Sequence, residues 1–389
     1  MSQVNTRKRG KTWEYRFEGA MVEGKRKQIS KSGFRTKADA LAAGTQALAD
    51  YNASGTYVKV SEISVADFFD YWYETHCLVN LKETTYKKYM MYMNHHIKPA
   101  IGNYKLKAIT TKVVQDFISS KHKDGYSRNT IMNLKGVLTN AFGYAIDLDY
   151  IVTNPASRAK VPTNTVGKSK KERTALTREE ILKIFERFPE THTSYIPLLI
   201  GYRCGTRIAE SFALTWDDID LDTGTLDINK QIQWLDSKWV FTDCKYGSER
   251  KIRIDSTLIA ALRNYKQHQE KNKEYYDEFW TELYVNDKKQ LDTSGTPVNM
   301  VCRKENGSYL QSRVMQHTSK VIHKELGIEH FDYHSLRHTH ATMLLEAGAD
   351  IKDVQKRLGH KNIKMTLEIY SHATQKMEDR TVSILENIK

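Results

Sequence analysis

The sequence predicts an α+β chain that is mainly α, in three parts. A small N-terminal β-sheet-plus-helix domain spans residues 1–55, a helical domain 62–160, and a mostly helical domain with a small antiparallel sheet 174–389. Three observations carry this reading. Period-two alternation of apolar and polar residues occurs in the N-terminal stretch and again within Asp218–Ile254. The chain between and after them has the 3.6-residue period of amphipathic helices. Two polar connectors, Asn52–Lys59 and the Lys/Arg-rich Ala156–Arg173, separate the parts.

The elements follow in order. Trp13-Glu14-Tyr15-Arg16-Phe17-Glu18 alternates like a half-buried strand, Glu23-Gly24 reads as a turn, and Lys25–Lys31 as a second strand. Thr36 is placed to cap a helix from Ala38 to Tyr51, with Leu41 and Leu48 on its inner face. Val65, Phe68, Phe69, Trp72 and Tyr73 recur at helical spacing. Further helices are predicted over Thr84–Ile97, Thr111–His122 and Ser127–Leu148, with Asn154-Pro155 as a stop. Thr177 and Glu180 form a capping box that opens the third part. A hairpin is predicted around Asn306-Gly307.

Composition narrows the function classes. A formal net charge of +13 and a pI near 9.3 imply a polyanionic partner, nucleic acid or an anionic membrane. Residues 1–60 hold twelve Lys/Arg against five Asp/Glu, more than half of that surplus. No apolar run approaches the ~20 residues a spanning helix needs, so a membrane partner is not expected. Met1–Gly10 is polar and basic without an apolar signal core, so secretion is not expected. The four cysteines (Cys77, Cys204, Cys244, Cys302) are scattered with no C-x-x-C pair. That argues against a zinc site and a disulfide scaffold, and for a reducing, cytoplasmic setting.

The most specific signal is His334-x-x-Arg337, then Leu358-Gly359-His360, then Tyr370, with Arg207 far upstream in Gly205-Thr206-Arg207. A His and an Arg three apart lie on one helical face. Cations that clamp a phosphate, proton carriers and a hydroxyl that attacks are the set that phosphoryl transfer to a tyrosine requires. Two guanidiniums can bind the nonbridging oxygens of a transition-state phosphodiester bidentately, which a lysine cannot. A tyrosine hydroxyl, with an unperturbed pKa near 10, must lose its proton as it attacks. No P-loop glycines occur, so no nucleotide cofactor is implied, and with Arg and Lys carrying the electrostatics no metal is required.

In these residues the chain resembles the tyrosine recombinase family, the integrases of phages and conjugative transposons. The resemblance covers the third part and, more loosely, the helical part before it. It implies that Arg207 and Arg337 clamp the scissile phosphate and that Tyr370 is the nucleophile. His334 would accept the tyrosine proton or hold the phosphate, and His360 is the later histidine of the set. Lys245 would protonate the leaving 5′ oxygen, although Lys238, Arg250 and Lys251 lie close by in sequence. Glu210 reads as a structural partner of an arginine, and His338 and His340 as packing or supporting residues. Ten residues separate His360 from Tyr370, where the common family spacing is nine.

The resemblance also implies partners. Residues 1–55 would be an arm-type DNA-binding domain, 62–160 a core-site DNA-binding domain and 174–389 the catalytic domain. Arm-site contacts are assigned to Arg7, Lys8, Arg9, Arg16, Lys25, Arg26 and Lys27, with Lys168, Lys170 and Lys171 of the basic connector lying along phosphates. Double-stranded attachment sites, a homotetramer on paired sites, an excision factor and a DNA-bending protein complete the implied set, at the bacterial nucleoid. The competing readings are a housekeeping resolvase or invertase of the same chemistry, and a DNA-binding regulator with a decayed site.

Overall fold

A computed structural model describes residues 3–22, 25–54, 63–163 and 175–370, with 382, 385 and 386. The chain divides into two compact units, Met1–Lys168 and Ser169–Lys389.

The first unit opens with a three-stranded antiparallel sheet, β1 (Asn5–Arg9), β2 (Thr12–Val22) and β3 (Lys25–Phe34), in that order. β1 was not anticipated, because Asn-Thr-Arg-Lys-Arg has no apolar alternation; pairing with β2 recruits it. Tyr15 and Phe17 point to one side and pack against α1 (Lys37–Ser54) with Ala47, while Glu14, Arg16 and Glu18 take the other side. The α1 register corrects one expectation. Leu48 faces the sheet, but Leu41 is 45% exposed and Ala40 is buried instead. The helix meets the sheet along Ala40, Gly44 and Ala47, where a Cβ on Gly44 would meet Tyr15 at 2.8 Å, and Leu41 stays on the exposed flank of that line. The expected Glu23-Gly24 turn lies outside the described residues.

The rest of this unit is helical. α2 (Val65–Trp72) runs through a π-helical turn, Tyr73–Cys77, into α3 (Leu78–Asn80). All five residues of the anticipated face, from Val65 to Tyr73, are buried. α4 (Glu83–Tyr92) likewise passes through a π turn, Met93–Ile97, into α5 (Lys98–Ile101). α6 (Thr111–Lys123) and α7 (Arg128–Asp147) start at Thr110 and Ser127, whose hydroxyls accept from the N–H groups of Val113 and Thr130. The basic connector begins later than predicted. Ala156 and Ala159 are buried in the helical core, and Gln115 both donates to the Lys160 carbonyl (3.0 Å) and accepts from its N–H (2.7 Å).

The second unit starts with α8 (Arg178–Arg187), opened by the Thr177/Glu180 capping box, then α9 (Tyr195–Cys204) and α10 (Ile208–Ser211). The strands predicted within 218–254 are present. β4 (Ile219–Asp220), β5 (Thr225–Ile228) and β8 (Arg250–Arg253) form one sheet, and β6 (Lys230–Leu235) pairs with β7 (Lys238–Asp243) in another. α11 (Ser256–Tyr276) packs on α9. A small sheet of β9 (Tyr284–Val285), β10 (Leu291–Asp292) and β11 (Thr296–Pro297) was not foreseen, since two-residue strands leave no periodicity. The Asn306-Gly307 hairpin is reduced to a turn closed by one bridge, Arg303 to Tyr309. α12 (Val314–Glu325), α13 (Tyr333–Glu346), α14 (Ile351–Leu358) and α15 (Lys364–Tyr370) complete the unit. No described helix is long and apolar enough to cross a membrane.

Candidate active site

The site forms where the C-terminus of α14 meets α10, the start of β8 and the buried face of α13. The last carbonyls of a helix have no partner within it and carry the negative end of its dipole. Here three consecutive ones are taken by arginines from elsewhere in the chain. Arg250 Nε donates to the Arg357 carbonyl (2.7 Å), Arg337 Nη2 to that of Leu358 (2.6 Å) and Arg207 Nη2 to that of Gly359 (3.3 Å).

Two glycines make this approach feasible. Gly359 ends α14 in the left-handed region (φ 66°), and a Cβ there would meet Ser248 and Arg250 at 3.0–3.1 Å. Gly205 ends α9 at φ 64°, and its Cβ would meet Leu358 and His340 at 2.7–2.8 Å. The Gly205 carbonyl in turn accepts from Arg337 Nη1 (2.7 Å).

Arg207 stands at the N-cap of α10. Its Nη1 donates to Glu210 Oε1 (2.6 Å) and to Ser248 Oγ (3.1 Å). Glu210 is fully buried, and its Oε2 accepts from the Arg207 backbone N–H and from Arg250 Nη2, both at 2.9 Å. Burial alone would push the Glu210 pKa up. Arg250 and then Arg207 more than offset it, so the carboxyl titrates below its usual range. One carboxylate thus balances three guanidiniums, and the surplus is positive.

Arg337 is 2% exposed, and burial together with neighbouring Arg207 lowers its guanidinium to about 9, still protonated at neutral pH. His360 is buried, with Nδ1 2.9 Å from the Thr366 hydroxyl on α15. Burial, then Arg337 and Arg207, lower its pKa to about 3, so it is neutral at physiological pH. His334 is exposed in the first turn of α13, close enough to add to the positive field on His360. Tyr370 is the last residue of α15, one turn beyond Thr366; its side chain lies outside the described atoms.

Lys245 is exposed on the loop from β7 to β8, where Tyr246 (φ 64°) and Gly247 (φ 61°) both turn left-handed. Ser248, three residues on, anchors that loop to Arg207. The nearby basic residues separate in space. Lys238 pairs with Asp292 (3.0 Å), Lys251 is exposed on β8, and Arg250 belongs to the buried cluster.

Sequence reasoning did not find the roles of Arg250, Arg357, Ser248 and Thr366, for none sits at a motif position. Arg357 Nε donates to His340 Nε2 (3.0 Å), and the other ring nitrogen of His340 faces the Tyr202 carbonyl (2.9 Å). Burial, then Arg357, lower the His340 pKa to about 4. His340 therefore supports the site, as expected, as a neutral imidazole with Nδ1 protonated.

Among the proposed arm-site residues, Arg7, Arg9 and Arg16 share the sheet face that turns away from α1, and Arg7 and Arg9 both lie 3.8 Å from Glu14. Lys8 departs from that group, since it opposes Trp13 and shares the α1 face. Lys25, Arg26 and Lys27 are in β3, but their side chains lie outside the described atoms. Lys168, Lys170 and Lys171 are outside the described residues.

Comparison with known proteins finds matches along most of the chain. The profile of the phage integrase family matches residues 174–377, that of the phage integrase N-terminal SAM-like domain 64–122, and that of an arm DNA-binding domain 2–50. A XerC-like tyrosine recombinase of Caldanaerobacter subterraneus subsp. tengcongensis is 27% identical over 351 residues, 86% of each chain. The ICEBs1 integrase of Bacillus subtilis is 26% identical over 309 residues, 77% of each chain. The transposase of transposon Tn916 from Enterococcus faecalis is 26% identical, over 75% of this chain and 69% of its own. Among solved structures, the Tn1549 transposon integrase in complex with a circular intermediate DNA has a TM-score of 0.68. It is 20% identical, with 82% of this chain and 99% of that one covered. A lambda integrase tetramer bound to a Holliday junction has a TM-score of 0.54 at 18% identity, with 92% and 96% covered.

Proposed function

The chain belongs to the phage integrase family of tyrosine recombinases, and from that membership we propose how its residues integrate and excise a mobile genetic element. The observation that carries the reading is the surplus-positive cluster in which Arg207 and Arg337 are tethered to consecutive carbonyls beside His360. Such a cluster is preorganised for an anion, so little reorganisation is needed as charge develops on a phosphate.

In the proposed reaction the Tyr370 hydroxyl attacks the scissile phosphorus and loses its proton. The P–O5′ bond breaks as the 3′-phosphotyrosine forms. Arg207 and Arg337 take the nonbridging oxygens, using N–H groups their protein partners leave over. Neutral His360 is suited to hydrogen-bond a nonbridging oxygen, and exposed His334 to hold the phosphate or accept the tyrosine proton nearer solvent. Lys245, on its anchored loop, delivers a proton to the departing 5′ oxygen. The phosphotyrosine keeps the energy of the broken diester, so a 5′ hydroxyl of another strand reverses the step and reseals the duplex.

Residues 62–160 would bind core sites and residues 1–55 arm sites. The outward face with Arg7, Arg9 and Arg16 is suited to a major groove; Lys8, Lys25, Arg26 and Lys27 would add further arm-site contacts, and Lys168, Lys170 and Lys171 would track phosphates. The arm-domain match over residues 2–50 favours an element's integrase over a housekeeping resolvase. Four copies on paired attachment sites, acting in a bacterial cytoplasm with an excision factor and a DNA-bending protein, complete the reading. Incubation with a nicked suicide duplex tests it: wild-type protein should form a covalent adduct, and Tyr370→Phe should bind the same duplex without any. A wild-type yield of adduct from Tyr370→Phe would overturn the nucleophile assignment.

A further inference from the structure

We propose that Arg250 is a positioning residue for strand cleavage, holding Arg207 in register with the His360 end of α14 and securing the loop that carries Lys245. The inference rests on the roles just given to Arg207, His360 and Lys245.

Arg250 opens β8, its side chain is 7% exposed, and each of its three nitrogens is bonded to the protein. Its three nitrogens go to three parts of the site: Nη2 to Glu210 Oε2 (2.9 Å), Nε to the Arg357 carbonyl (2.7 Å) and Nη1 to the Ser248 carbonyl (3.0 Å). Each recipient is one bond from the phosphate clamp. Glu210 and the Ser248 hydroxyl both hold Arg207 Nη1, and Arg357 begins the run of carbonyls whose next two members hold Arg337 and Arg207.

The occupancy of Glu210 gives the physical reason. A carboxylate facing a single arginine favours a bidentate pair, which would use up one edge of the guanidinium. Here Oε2 is already taken by Arg250 and by the Arg207 backbone N–H, so the Arg207 side chain bonds only Oε1. The rest of its guanidinium stays turned toward Ser248 and Gly359 and keeps N–H groups for a phosphate. Without Arg250, Oε2 opens and Arg207 is drawn onto its own carboxylate. Lysine keeps the charge but, as a point donor, cannot serve three acceptors spread around a planar fork.

The test compares two nicked duplexes, one native and one with a methylphosphonate at the scissile position. The methyl group removes the phosphate's negative charge, so cleavage depends less on a well-aimed guanidinium. Arg250→Lys and Arg250→Gln in the full chain should lose roughly 10- to 100-fold in adduct rate on the native duplex relative to the methylphosphonate duplex. Taking the ratio within one preparation cancels any difference in folded fraction. Arg207→Ala is measured beside them. Selective loss in Arg207→Ala alone overturns the role of Arg250 and leaves the clamp intact. Absence of selective loss in Arg207→Ala overturns the clamp assignment, and the inference with it. Equal loss on both duplexes in the Arg250 variants, or no loss, also overturns it.

Discussion

Glu210 grips Arg207 twice, accepting from its guanidinium at 2.6 Å through Oε1 and from its backbone N–H at 2.9 Å through Oε2. Glu210 is fully buried and Arg207 half-buried, so the grip orients Arg207 and also makes Glu210 indispensable to the cations around it. Removing one partner of a buried ion pair leaves an uncompensated charge, which typically costs about 3–5 kcal/mol. Glu210→Ala should therefore lower the unfolding free energy by an amount of that order, with a lower urea midpoint. Glu210→Gln, which keeps an acceptor oxygen, should cost less. Equal stability of Glu210→Ala and wild type in urea titrations would show that the cluster does not depend on this carboxylate. The depressed Glu210 pKa works in the same sense. Its stabilisation is complete above the ordinary carboxylate range and is lost as pH falls through its lower folded value.

The general acid can be identified by its leaving group. Lys245→Ala should slow cleavage of a normal duplex and be selectively rescued by a substrate whose 5′ leaving oxygen is replaced by sulfur, because a thiolate departs without a proton. The comparison variant is Lys251→Ala, since Lys251 is exposed on the strand that follows the loop. Rescue of Lys251→Ala and not of Lys245→Ala would transfer the role.

His360 and His340 should make the DNA-free protein sensitive to mild acid. Their folded pKa values are about 3 and about 4, against an ordinary 6.5 in the unfolded chain. Between those limits the unfolded chain takes protons that the folded site refuses, so stability is complete above pH 6.5 and falls as pH drops toward 4. At pH 5 each histidine should cost roughly 2 kcal/mol relative to pH 7. Urea midpoints of wild type and His360→Asn at the two pH values measure this. An undiminished pH dependence in the variant would rule His360 out as a source.

The two faces of the N-terminal sheet make unequal demands on DNA. Deleting residues 1–60 should leave cleavage of isolated core sites intact and abolish binding to arm sites. Within the sheet, Arg16→Ala should weaken arm-site binding more than Lys8→Ala, because Lys8 shares the α1 face. Binding by the full chain to an arm duplex should fall steeply with salt as counterions are released. Competition titrations against scrambled duplex separate site reading from charge alone, and equal affinity for every duplex would make the domain a basic tether.

Much of the architecture was legible because local spacing encodes it. The buried face from Val65 to Tyr73 and the antiparallel strands within 218–254 bury one side, which sets the period of the sequence, and the Thr177/Glu180 capping box joins residues three apart. The order and spacing of Arg207, His334, Arg337, His360 and Tyr370 likewise marked the chemistry before any fold was known. Where local rules ran out, the misses have physical causes. α1 meets the sheet along Ala40, Gly44 and Ala47 and leaves Leu41 on its exposed flank, and Ala156 and Ala159 packed onto a core drawn from residues as far back as Val65.

The sequence by itself determined the order and spacing of the residues proposed for the reaction and most of the helices and turns on which they stand. Only the tertiary structure decided how they are aimed. The bonds of Arg337 to Gly205 and Leu358, of Arg207 to Gly359 and of Arg250 to Glu210 and Arg357 span from 21 to 152 residues. A helix end leaves its carbonyls unsatisfied wherever it occurs, but which arginines arrive there depends on how distant segments pack. Periodicity carries no trace of that register, and so the arginines gathered at the end of α14 emerge only in the folded chain.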